Sequence, residues 1–497
     1  MNDVNVAGRV RVWFALTRGM MARRGALVRA RVLIPIVPAV LCAGLTPSTE
    51  LRGDPGGEAA RRSTPDLSLS VESARPGDTL LIGPGTYAGN LLLRKRLTLI
   101  GAGKPVIRGD GTGSVITVQA DSCVIEGLII EHCGPMLVGE DAGILIRSDG
   151  NIVRGNELRD ILFGIYLLHA EGNLVTGNTI AGGRALSLGE KGSGIHIWNS
   201  QGNRFAGNTI TGVRDGFYIQ NASHSRLEDN AVFGVRYGLH YMYADSNVFL
   251  GNRFYDNVAG AAIMYSTGIM MRDNVFARNR GFSSFGVLFQ DCHGLVAEGN
   301  VVVDNNVGMF FEASTDNRFC GNLVAQNDVA LEMFQNATGN VFTGNNFIDN
   351  LSPLTIVGKK TGSSWSVSGT GNYWSSYDGY DLDGDGRGDV PMKILNVFQY
   401  LEGQNSNVAL YLYSPSSQAL ASASKAFPVI EINQEADTDP LMRPADMSAL
   451  PAVKIMTEIG RSAPGHGGPG SRPWGALPLI GGVVAGLVYR RLSRRVR

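Results

Sequence analysis

The sequence is poor in cysteine, carries no net charge and shows no sustained helical period. Its five cysteines are Cys42, Cys123, Cys133, Cys292 and Cys320, and no two form a C-x-x-C pair. That spacing argues against a zinc ribbon or a disulfide-dense scaffold, and the thiols read as small buried hydrophobes. Lys plus Arg and Asp plus Glu both number 44, so there is no basic field of the kind that draws nucleic acid. The missing 3.6-residue period argues against a helical bundle. The 65 glycines follow no Gly-X-Y rule, which removes collagen and leaves many tight corners.

What the chain does have is a repeated phrase. It reads NLVTGNTI at Asn173–Ile180, NRFAGNTI at Asn203–Ile210 and NVFLGNRF at Asn247–Phe254. The asparagine after the glycine recurs at 156, 178, 208, 230, 252, 274, 300, 322, 345 and 372, and five of the nine intervals are 22 residues. A fixed period in this range marks a solenoid. Each unit holds two short β-branched runs, which suits an all-β fold, a right-handed parallel β-helix of ~22-residue coils stacking at about 4.8 Å. The asparagines read as a structural ladder of stacked turn residues that tolerate left-handed backbone.

The second run of each coil opens on a glycine, from Gly164 to Gly308, with Ala330 in the last. First and third positions after it are apolar throughout, as in Ile165/Leu167 and Phe217/Ile219, so this parity faces the core. Second and fourth positions then point outward. They include Tyr166, His196, Trp198, Tyr218, His240, Met242 and Met264, with no lysine among them. A continuous outward stripe of aromatic and thioether side chains marks a binding surface.

Two chemical readings of the stripe stand side by side. Imidazole and thioether are the soft donors that suit copper, although His196 and His240 lie two coils apart, about 10 Å, too far to share one ion. The alternative is a docking surface, since Met and aromatics are enriched in interface cores. Glu312 and Glu332 are the only acids of the stripe. They leave open a polysaccharide-processing enzyme, and the rings leave open a carbohydrate-binding rod. Separately, DLDGDGRGD at Asp381–Asp389 places Asp381, Asp383, Asp385 and Asp389 at loop positions 1, 3, 5 and 9, with Gly386 at 6. That is the front half of a Ca²⁺ loop, lacking the acid at position 12, where Met392 stands. The other reading is an acidic turn.

The ends suggest a compartment. Residues 9–47 contain arginines and no acid, and VLIPIVPAVLCAGL (32–45) follows the basic stretch, the pattern of a secretory signal. WGALPLIGGVVAGLVY (474–489) is uncharged and leads into five arginines. It is short for a span, and reads as a marginal C-terminal anchor or an interfacial helix.

These phrases together resemble the NosD family, periplasmic maturation proteins of nitrous oxide reductase. The specific part is GNYWSSYDGYDLDGDGRGDVP (371–391), followed by SPSSQAL, AFPV and DTDPLMRP, and the likeness runs from about residue 71 to 445. The resemblance implies a non-enzymatic β-helix that works with an ABC-type ATPase and permease. With a copper chaperone, it would assist assembly of the reductase's copper–sulfide centre. Read from the residues, the expected division is a signal peptide at 1–45, a linker at 46–70 and the β-helix at 71–375. A C-terminal cap with the acidic loop and a docking helix starting near Ser414 occupies 376–445, then a linker at 446–473 and an apolar helix with an Arg-rich tail at 474–497. Copper handled transiently, a Ca²⁺ ion in the cap, and attachment to the inner membrane through the permease or the last helix complete the expectation.

Overall fold

The computed structural model describes residues 49–51, 67–183, 186–281, 283–394, 435–454 and 456, with isolated positions between 401 and 423. The expected signal peptide and the apolar helix at 474–497 lie outside the described residues. Among the described residues no helix is long and apolar enough to cross a membrane.

Three parallel sheets run the length of a solenoid. The first has thirteen strands, from Thr49–Leu51 through Leu174–Thr176 to Val341–Thr343. The second also has thirteen, from Thr86–Ala88 through Thr179–Ala181 to Tyr373–Trp374, and the third has twelve, from Leu91–Leu93 to Ser352–Val357. Each coil therefore carries three strands rather than two runs. The Gly-Asn phrase is itself two strands, bent where Gly177 takes φ +62° between Thr176 and Asn178.

That bend corrects the expected role of the asparagine. The left-handed residue is the preceding glycine, or an aspartate such as Asp229 (φ +53°) where glycine is missing. The asparagine keeps ordinary backbone and uses its side chain. Asn178 Nδ2 donates to Asn208 Oδ1 at 3.0 Å, Asn208 to Asn230 at 2.9 Å and Asn230 to Asn252 at 2.9 Å. The same link continues to Asn345 and Asn372 at 2.8 Å. A second ladder runs through Asn151, Asn173 and Asn203, and a third through Asn279, Asn305, Asn327 and Asn350. All three corners of the coil are thus pinned by buried amides, each of which would be costly to leave unpaired.

Both ends are closed. A short helix, Ser68–Ser73, buries Val71 beside Leu67, and Thr49–Leu51 pairs with Leu80–Ile82, so part of the 46–70 stretch belongs to the rod rather than to a linker. At the far end Trp365 stacks on Phe342 at 4.7 Å and Trp374 on Phe347 at 4.2 Å. Two buried acids tie down the returning chain. Glu435 accepts from Thr361 N and from Trp365 Nε1, both at 2.8 Å, and Asp437 accepts from Asn372 N at 2.7 Å and Trp374 Nε1 at 3.0 Å.

Beyond the cap the chain turns back along the rod. Met447, Ala452, Val453 and Met456 are buried against Val275, Ala277, Val301, Val303 and Ala325, outward positions of the second sheet. Asn346 secures the start of this strap by a reciprocal pair with the Ala445 backbone, at 2.9 and 3.0 Å. Residues 446–456 are therefore packed structure where a linker was expected.

Candidate partner-docking face

The third sheet has the alternation read from its glycines. Its inward residues, such as Ile165, Ile195, Phe217 and Leu239, are wholly buried. Its outward residues point away from the core in register: Tyr166 pairs with His196, His196 with Tyr218, Tyr218 with His240, and Met242 with Met264.

The expected exposure of this stripe is corrected. Tyr166 is 2%, His196 6% and Met264 8% exposed, while Trp198, Tyr218, His240 and Met242 are half-buried. The cause is the parallel stack itself, which brings the same position of successive coils into van der Waals contact. The His196 ring is stacked between Tyr166 at 4.3 Å and Tyr218 at 4.4 Å, nearly parallel to each, and Phe163 meets it edge-on at 5.3 Å. Tyr218 in turn meets His240 edge-on at 4.9 Å. The rings present their faces to one another rather than to a sugar. Farther along, Ala262, Met264, Leu288 and Phe310 form a second apolar layer outside the sheet, with Met242 and Phe334 at its margin.

Charge is built into this layer in a way the alternation did not reveal. Asp215 stands one residue before its glycine and is wholly buried. Arg236 donates to its two oxygens at 2.8 and 2.6 Å, and Arg214 to one of them at 3.2 Å. His240 Nδ1 lies 3.6 Å from Asp215 Oδ2. Burial alone would raise this carboxyl, but the interactions with His240 and Arg236 outweigh it and hold it well below the usual range. His196 is the opposite case. Burial, then the nearby Arg214, lowers its pKa to about 3, and neither ring nitrogen has a hydrogen-bond partner. Ser193 Oγ, paired in register with Asp215, is also buried without a partner.

Three of the longer coils place their extra chain at one border of this sheet. Residues 132–141, 182–192 and 278–284 all lie between a second-sheet strand and a third-sheet strand. The first two raise Met136 (62% exposed), Val138 (95%) and Leu188 (47%) into solvent beside the packed layer. Exposed apolar side chains on a rim are what a partner's surface would cover.

Elsewhere the candidates behave differently. Glu312 accepts from Gln290 Nε2 at 3.0 Å, and both it and Glu332 are half-buried. Asp381, Asp383 and Asp385 bring one oxygen each within 4.8 Å of one another. Their oxygens also hold the loop: Asp381 accepts from Gly384 N at 2.7 Å and Gly386 N at 3.0 Å, and Asp389 from Leu382 N at 2.6 Å. Cys123, Cys133 and Cys292 are buried free thiols, and burial raises Cys292 to about 12, which makes it inert.

Comparison with known proteins decides the family. A model of the family described as "Periplasmic copper-binding protein (NosD)" matches residues 182–379, the stretch that carries most of the third sheet and its rim. The chain is 32% identical over 403 residues to a "Probable ABC transporter binding protein NosD" of Pseudomonas aeruginosa, covering 76% of this chain and 93% of that one. The chain belongs to the NosD family. A NosD protein of Stutzerimonas stutzeri, also named a probable ABC transporter binding protein, is 30% identical over 391 residues, 75% of this chain and 87% of that one. Among solved structures, the mannuronan C-5 epimerase AlgE6 A-module of Azotobacter vinelandii matches with a TM-score of 0.46 at 16% identity, over 62% of this chain and 93% of that one. The NosD relatives are named as binding proteins, and the family as periplasmic.

Proposed function

We propose that this NosD-family chain is a non-enzymatic periplasmic accessory protein in the maturation of the copper–sulfide centre of nitrous oxide reductase. It works with an inner-membrane ABC ATPase and permease, and presents the outer layer of its third sheet to the copper chaperone or the reductase. The observation that carries this reading is the layer itself. It is an aromatic and thioether surface with no lysine, half-buried at Trp198 and Met242 and bordered by exposed Met136, Val138 and Leu188. Surfaces of this composition are stable in water when a partner completes them. The relatives' name, probable ABC transporter binding protein, supports an association with an ABC transporter, and hence the permease as the second partner.

The chain after Pro391 would meet the permease. Its excursion leaves and returns at one point, where Met392–Lys393 pairs with Ala436–Asp437. Within it Pro415, Ser416, Ala419 and Leu420 are helical and exposed, in the segment expected to hold the docking helix. A Ca²⁺ ion in the Asp381–Asp389 loop would stiffen the cap from which that excursion springs. The experiment is a double substitution, Trp198→Ser with Met242→Ser, in the full chain. Circular dichroism checks the fold, and affinity for chaperone and reductase is the readout. At least tenfold weaker binding is expected, and unchanged binding to both would place the docking face elsewhere.

A further inference from the structure

The border of the third sheet that carries the exposed rim is unevenly charged. Arg214 and Arg236 hold the same position in successive coils, each just before a third-sheet strand, Asp215–Gln220 and Tyr237–Met242. Lys191 stands one coil earlier, where its Nζ donates to Gly212 O at 3.1 Å. Against these three cations stands one carboxylate, Asp215. Among the described residues it is the only acid whose charge acts on the neighbouring rings of His196, Tyr218 and Tyr237. Glu190, on the rim loop, turns to Ser187 instead, accepting from its N at 3.0 Å and its Oγ at 2.7 Å. The cluster is left with a surplus of positive charge.

That surplus is local. Farther along the same border Arg278 pairs with Asp256 at 2.6 Å, and Arg280 with Asp304 at 2.7 Å and Asp328 at 3.1 Å. Asp328 holds the coil position of Arg214 and Arg236, just before the strand Val329–Phe334. At a strand spacing of about 4.8 Å it lies about 19 Å from Arg236. The border therefore runs from a cationic to an acidic end beside one apolar layer.

Arg214 is the residue able to reach outward. It gives only Nε to Asp215, at 3.2 Å, and its terminal nitrogens have no partner among the described residues and reach solvent. Arg236, by contrast, grips both Asp215 oxygens, at 2.8 and 2.6 Å. The Arg214 side chain is only 24% exposed, so water screens its charge poorly. A partly desolvated guanidinium with two open N–H edges matches a carboxylate, whose two oxygens it can bond together. Leu188, on the rim loop before Lys191, and Trp198, on the strand after it, add apolar surface. The partner that fits carries an acidic side chain within an apolar patch.

We propose that Arg214, supported by Lys191 and Arg236, receives a carboxylate side chain of the protein that docks on the third sheet. This deepens the docking reading above and rests on it for the choice of face.

The test measures binding of the full chain to the copper chaperone and to the reductase, at low and at raised salt. Arg214→Gln keeps most of the length and removes the charge. It should weaken one of the two complexes about tenfold at low salt, mainly through slower association, and flatten the salt dependence. Arg204→Gln, which removes an exposed arginine from the first sheet, should change neither. Arg214→Lys keeps the charge and adds an amine, which a carbodiimide should couple directly to an aspartate or glutamate of that partner. Loss of packing would not give that product. Native affinity and native salt dependence in Arg214→Gln, or no coupled acid at position 214 in a complex that still forms, overturns the proposal. The Trp198→Ser, Met242→Ser double substitution separates the two readings. Weaker binding there, with native binding in Arg214→Gln, refutes the carboxylate contact alone. Native binding in both, or no complex with the native chain, refutes the face as well.

Discussion

Asn372, the last rung of the longest asparagine ladder, ends on Asp437. Its backbone N–H and its side-chain amide both donate to Asp437 Oδ2, at 2.7 and 3.2 Å. The ladder would otherwise finish in an unpaired buried donor, and the returning chain supplies the acceptor. The same oxygen takes Trp374 Nε1 at 3.0 Å, so one carboxylate closes both the ladder and the aromatic stack.

Asp437→Leu keeps approximate shape and strands the Asn372 backbone N–H and the Trp374 indole N–H, while Asn372 Nδ2 keeps the Phe342 and Trp365 carbonyls. A loss on the order of 3 kcal/mol in unfolding free energy is expected, read by denaturant titration. The reporter is Trp365 and Trp374 fluorescence, since both indoles lie in the cap. Asp437→Asn retains one acceptor oxygen and should cost less than half as much.

His196→Phe should stabilise the rod, by about 1 kcal/mol, because phenylalanine keeps the stack between Tyr166 and Tyr218 and removes two unpartnered nitrogens. The pH dependence gives a sharper check. Burial lowers His196 to about 3, so the unfolded chain binds the proton more readily. The native state then gains from a neutral His196 above pH ~6.5, and that gain is lost as pH falls toward 3. Thermal melts between pH 7 and 4 should fall less steeply for His196→Phe than for the native chain. Asp437 works in the other sense: burial raises it, so its contribution diminishes as pH rises through its folded value.

The strap makes a third prediction. Val453→Asp would bury a charge against Val301 and Val303 and should release residues 445–456 from the second sheet, at a cost of about 3 kcal/mol. The ladders do not depend on the strap. The expected result is therefore new binding of a hydrophobic dye with the β-sheet circular dichroism retained.

Calcium is tested by melting ion-free protein with and without added Ca²⁺. Three carboxylates within 4.8 Å repel one another when ionised, so an ion that joins them should raise the melting temperature of the cap by a few degrees. An Asp383→Asn, Asp385→Asn variant should show no such rise. A native chain that melts identically with and without the ion would leave the loop as a self-bonded acidic turn.

How much of this was legible depends on periodicity. The 22-residue interval located the ladder, the inward residues from Ile165 to Met333 and the register of the outward row. It did not reveal that Tyr166, His196 and Met264 would be enclosed, because alternation tells which way a side chain points, not what its counterpart one coil away covers. Asp215 was missed because it precedes the glycine from which the rows were counted. Arg214 and Arg236, 22 residues apart beside a lone acid, were the available signal. The strap falls in the stretch expected as a linker, although Met447, Leu450, Val453 and Met456 recur every three residues, and they pack on apolar outward positions such as Val275 and Val301.

The central claim, that the third sheet's outer layer is the working face of this NosD protein, is tested most directly by site-specific photocrosslinking. A photoreactive phenylalanine analogue would replace Trp198 on that face, or Arg204 on the first sheet, in cells expressing the copper chaperone and the reductase. The account predicts an adduct with one of these proteins from position 198 and none from position 204. An adduct from 204 alone, or none from 198 while the proteins still associate, would contradict it.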